Sequence, residues 1–197
     1  MGGVGVAIGP DVVDVLVEDH RQIEELLQQA AQRDDPAVVD DGGRLVSVCI
    51  AELARHFTVE EEYVYPVVRE LVPRGDRLAG DALVHNREAE VVMKRLERCP
   101  ADSPDCLPLI TDLLGRLHEH TVETEAGMFP ALRRRCAPDQ LDHLAGVVEM
   151  AKRTAPTHAH PGVPHNPPWN QILTPGVGLV DRVRDAFTGR PTTPEQM

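Results

Sequence analysis

Residues 56–66 read HFTVEEEYVYP and residues 120–130 read HTVETEAGMFP. Each stretch opens on a histidine, carries acids four or five positions later and closes on an aromatic–proline pair at the same distance. His56 to His120, Glu61 to Glu125 and Pro66 to Pro130 are each 64 residues apart, and His20 to His85 is 65. Agreement at this detail marks an internal repeat, two helical hairpins built on one plan.

Working outward, apolar residues recur at alternating steps of three and four, the signature of a helix with one buried face. A first helix is expected from Asp11 to about Arg33, with Val13, Leu16, His20, Ile23, Leu27 and Ala30 on its stripe and Asp11 as N-cap. The second runs from about Ala37 to Leu71 through Cys49, Leu53, His56, Glu60, Tyr63 and Val67. The third runs from about Asp76 to Arg98 through Leu78, Ala82, His85, Ala89, Val92 and Leu96. The fourth follows Asp102-Ser103-Pro104 and reaches about Arg135 through Ile110, Leu113, Leu117, His120, Thr124 and Met128. A further stretch, Pro138 to Arg153, extends the bundle or packs beside it. Together these predict an all-α, up-down-up-down four-helix bundle over residues 11–153, counting the short following helix, after an N-terminal extension at 1–10. From Thr154 the composition changes. Eight of the 17 prolines fall in the last 44 residues, so 154–197 is read as a Pro/Gly-rich tail with a docking helix at 177–187. Through that tail the chain is expected to self-associate.

Composition removes several function classes. With 32 acidic against 20 basic side chains, a formal charge of −12 and 3% aromatics, the chain lacks the basic face and exposed rings that nucleic acid requires, and an anionic membrane would repel it. No apolar run approaches eighteen residues and the start has no signal-peptide pattern, so a cytoplasmic location is expected. The cysteines at 49, 99, 106 and 136 form no CxxC and are read as small core or surface residues.

What remains unusual is one histidine on the inward stripe of each helix. A single core histidine is ordinarily just hydrogen-bonded, but four at comparable depth, with Glu60 one turn beyond His56, form a ligand set for a metal that takes imidazole and carboxylate. His56 and Glu60 point the same way at i and i+4. His120 and Glu125, five apart, are offset, which suits a carboxylate reaching sideways to a second metal. Six ligands, His20, His56, Glu60, His85, His120 and Glu125, exceed a tetrahedral zinc and leave open positions on two octahedral ions. Glu61 rivals Glu60, and His118 rivals His120. The ferritin-like Glu-x-x-His pairs, HExxH, GxSxG and Walker loops are absent from these helices, and no catalytic or other cofactor-binding residue is assigned. The aromatic–proline pairs should bend their helices and orphan a carbonyl four residues earlier. Glu24, Glu25 and Glu90 read as solvated surface, and His158, His160 and His165 as tail histidines.

Asp19-His20, His56 to Glu60 with Tyr65-Pro66, His85, and His120 to Glu125 with Phe129-Pro130 together resemble the hemerythrin-like, HHE cation-binding domain over about residues 11–135. The resemblance implies two non-haem iron ions, oxo- or hydroxo-bridged, with Glu60 and Glu125 as carboxylate bridges. It further implies binding of or reaction with dioxygen, hydrogen peroxide or nitric oxide in protection from oxidative stress, including weak catalase- or peroxidase-like activity. Iron or oxygen sensing coupled to folding, and iron storage, are the alternatives. The sequence departs from the oxygen carriers at Ala89, where they place a second histidine, leaving Asp81, Glu88 or Tyr63 as substitutes.

Overall fold

The structure is a computed structural model that describes residues 9–32, 39–100, 102–159 and 191–194. The described residues are all-helical. The segments are α1 (Val12–Ala31), α2 (Val39–Val59), a π-helical turn (Glu60–Val64), α3 (Tyr65–Leu71), α4 (Gly75–Leu96), α5 (Cys106–Glu123), a second π-helical turn (Thr124–Met128), α6 (Phe129–Arg135) and α7 (Pro138–Lys152). α1 packs on α2 and α5, α4 packs on α5 and on α2 with α3, and so the four-helix bundle closes. α7 lies beside it against α1 and α2.

Local chemistry explains the starts and turns. Asp11 caps α1 through a reciprocal box with Asp14, each side chain accepting the other's backbone N–H. The α3–α4 corner is tight enough that a Cβ on Gly75 would lie 2.0 Å from the Val68 carbonyl, so only glycine fits.

The two aromatic–proline pairs act differently from the expected bend. Tyr65 N–H bonds the Glu60 carbonyl and Phe129 N–H the Thr124 carbonyl, each reaching back five residues. Proline cannot extend the i→i−4 ladder, and the ladder resets through a wider turn that places Pro66 and Pro130 in the first turn of α3 and α6. Both π turns sit at the same place in the repeat, so the halves agree in backbone as well as in sequence.

The core is in two parts. One holds Ile23, Leu27, Leu45, Leu53, Phe57, Met93, Ile110, Leu113 and Leu117. The other holds Val13, Leu16, Val59, Tyr65, Val68, Leu83, Met128, Phe129 and Leu132. On α1 the gap between them falls between Leu16 and Ile23, on α4 between Leu83 and Ala89, and on α5 just after Leu117. The polar residues of the bundle fill that gap.

Two expectations fail here. Cys99 and Cys106 form a disulfide across the α4–α5 connection, because the helix ends bring their Cα atoms to 6.1 Å. Only Cys49 and Cys136 are free and buried, as expected. Glu90, read as solvated surface, is 5% exposed, since it lies one residue from the inward Ala89 on α4. The docking helix proposed at 177–187 lies outside the described residues.

Candidate metal centre

Between the two apolar layers His20, His56, Glu60 and His120 converge. All four are buried, with exposures of 0–1%. One ligand atom from each lies within 4.8 Å of the others. α1, α2 with its π turn, and α5 each present one wall. The rings touch edge to face, His20 to His56 at 4.6 Å and His20 to His120 at 5.2 Å between centroids.

The outer nitrogens of His20 and His56 are held by carboxylates from other elements. His20 Nδ1 is 2.8 Å from Glu125 Oε1, and His56 Nδ1 is 3.3 Å from Asp19 Oδ2. Asp19 is in turn paired with Lys152 of α7. A carboxylate on Nδ1 favours the tautomer with its proton there, so Nε2 presents a lone pair inward. Burial, which disfavours the charged ring, pushes the His20 pKa well below its ordinary 6.5 and keeps that ring neutral. Burial opposes ionisation of Glu60, but attraction to His120 and His56 outweighs it and holds the carboxyl at about 2. The Tyr65 hydroxyl donates to Glu60 Oε2 at 2.9 Å and accepts from Asn86 Nδ2, which also donates to Glu61 Oε1 at 3.0 Å.

Whether a metal fits is decided by what these atoms lack. Nε2 of His20, His56 and His120 and Oε1 of Glu60 are buried without a hydrogen-bond partner. Buried polar atoms are normally paired. Four that are not, on neighbouring residues of imidazole and carboxylate type, are a donor set that a cation would satisfy. The model of the hemerythrin HHE cation binding domain matches residues 9–132, more than half of the chain.

The chain belongs to the hemerythrin HHE cation-binding domain family.

An uncharacterized hemerythrin-like protein of Schizosaccharomyces pombe is 26% identical over 181 residues, covering 91% of this chain and 88% of that one. A DNA nickase of Nostoc is 23% identical over 158 residues, 77% of this chain but 44% of its own length. The crystal structure of a hemerythrin HHE cation binding domain-containing protein from Mycobacterium kansasii superposes with a TM-score of 0.62 at 20% identity, covering 74% of this chain and 86% of that one.

Within the hemerythrin-like bundle the other two expected ligands lie beside the four-residue group. Glu125, in the second π turn, is occupied with His20 Nδ1, and burial raises its pKa. The His85 side chain is 24% exposed, with Nδ1 3.5 Å from Glu123. The inward stripe of α4 is Ala82, Asn86, Ala89 and Met93, which turns His85 toward the edge. Of the rivals, Glu61 is buried against Asn86, whereas His118 is exposed on α5. Asp81 and Glu88 are exposed and paired with Arg77 and Arg116, and Tyr63 is partly buried. Sequence reasoning missed Asn86, the Tyr65 hydroxyl and Lys152. A polar residue flanked at i−4 and i+3 by Ala82 and Ala89 is the signal that could have found Asn86.

Proposed function

We propose that this hemerythrin-like chain is a non-haem di-iron protein that binds or reacts with dioxygen, hydrogen peroxide or nitric oxide, in protection from oxidative stress. The observation that supports this reading is the buried layer of orphaned imidazole nitrogens and the Glu60 oxygen. His20, His56, Glu60 and His120 would hold the metal, with His85 and Glu125 at the edge of the set. Bound iron supplies open coordination positions for a small diatomic or peroxide ligand and an Fe(II)/Fe(III) couple. The chain does the rest. Asp19 and Glu125 orient two imidazoles, Tyr65 fixes one oxygen of Glu60, and the apolar layers above and below exclude water.

The test is anaerobic reconstitution with Fe(II), followed by absorption spectra before and after dioxygen, peroxide and nitric oxide. New visible bands and catalytic loss of peroxide are expected. Iron that binds but leaves the spectrum and the peroxide concentration unchanged contradicts the reading. A second reading, iron or oxygen sensing, is favoured by the same orphaned atoms: a layer that lacks partners without metal couples metal loading to folding. It moves ahead where stability follows iron while peroxide is not consumed.

A further inference from the structure

Four arginines line one cleft of this acidic protein. The cleft has a volume of about 730 Å³ and runs between the α3–α4 corner, the first half of α4, the second π turn and α6, with Arg74, Arg77, Arg134 and Arg135 on its walls. Outside the cleft, Arg133 is paired with Asp11 and Asp14, Arg116 with Asp112 and Glu88, Arg21 with Glu18 and Glu25, and Arg55 with Glu52. Among the described residues only Arg77 of the four has a carboxylate within reach, Asp81 at 3.4 Å across an exposed pair. The cleft thus gathers four guanidiniums on one concavity of a chain with 32 acidic and 20 basic side chains.

Two further features mark the cleft. Arg74 is held in the left-handed region at φ 63°, the one non-glycine residue with positive φ among the described residues; such conformations gather at binding sites. A Cβ built on Gly127, in the cleft wall, would meet nothing within 4 Å, so the wall is open there.

The charges define the ligand class. Four guanidiniums against Asp81 and Glu123, the acids of the lining, leave two positive charges. Guanidinium forks match phosphate oxygens in pairs. Leu78, Ala82 and Met128 give the inner wall an apolar surface. We propose that the cleft binds a phosphate monoester of a small apolar group, its dianionic head among the arginines and its body against that wall. Thr124 joins the cleft to the metal layer, since its hydroxyl donates to the His120 carbonyl at 2.9 Å, but the proposal does not depend on which metal is bound.

The test is calorimetric titration of the full chain, with its metal, at physiological salt, using phenyl phosphate, inorganic phosphate and benzoate. Saturable binding is expected for phenyl phosphate, with benzoate weaker by about tenfold or more because it carries one charge rather than two. Replacing Arg134→Ala together with Arg135→Ala should weaken phenyl phosphate by about 10- to 100-fold. Gly127→Leu should block the cleft with every charge in place. Helicity by circular dichroism and metal content should stay at wild-type values in the arginine double variant, which carries the test alone where Gly127→Leu misfolds. Equal affinity for benzoate and phenyl phosphate, unchanged affinity in the arginine variant, or no saturable heat overturns the proposal.

Discussion

Single positions on α5 show how sharply the helix sorts chemically identical residues. His118 and His120 are two residues apart and therefore about 200° apart around the axis. One is exposed and the other is 1% exposed among three metal-type ligands. His120→Ala should abolish most metal binding, whereas His118→Ala should leave metal content at the wild-type level; elemental analysis of both proteins after identical reconstitution checks this. The 64-residue register favours His120 in the sequence, and in the structure His120 is the buried one of the two, because the register follows the helical phase. The same phase was misleading on α4. His85 falls one residue before the inward Asn86, and an apolar count of stripe positions could not see that one step of about 100° separates edge from interior. Tyr65 and Phe129 occupy equivalent repeat positions, yet only Tyr65 brings a hydroxyl to Glu60, while Phe129 stacks on His20 at 5.8 Å.

At the scale of elements the π turns are what periodicity could not predict, because an α-helical template has no place for an extra residue. The sequence carried a trace of them: proline inside two otherwise helical runs at the same repeat position, and a His120–Glu125 spacing of five. The wide turn keeps α6 in phase with the core, so that Phe129 meets His20 and Arg133 reaches Asp11 and Asp14 of α1. Deleting Gly127 removes one residue from that turn and rotates α6 by about 100° relative to α5. The thermal midpoint and the metal content should both fall. A deletion variant that keeps both would show that the turn has no part in setting the phase.

For the whole molecule, the segment that follows the bundle is more firmly packed than a Pro/Gly-rich composition suggests. Residues 155–159 are buried, Ala159 joins the first core, and Glu97 at the end of α4 accepts from Lys94, from His158 at 2.9 Å and from the Ala159 backbone N–H. Burial raises the Glu97 pKa, but the His158 and Lys94 hydrogen bonds outweigh it and hold the carboxyl at about 2 against an ordinary 4.5. A depressed carboxylate pKa stabilises the fold above about pH 4.5, and that contribution disappears as the pH falls toward 2. Denaturant melts should therefore show Glu97→Gln destabilised near neutral pH, with the gap to wild type closing below about pH 4.5. His158 belongs to this latch and lies outside the metal group, and its place in a proline-rich segment gives no hint of its burial.

The two apolar layers, the polar layer between them and the carboxylates behind its imidazoles all make sense together if the layer holds metal. The most direct measurement is the iron content of the purified chain after anaerobic reconstitution with Fe(II) and removal of excess, run beside His56→Ala. The proposed di-iron function predicts about two iron ions per wild-type chain, and a sharp loss in the variant. Near-zero iron in the wild type, or equal iron in the two proteins, would contradict it.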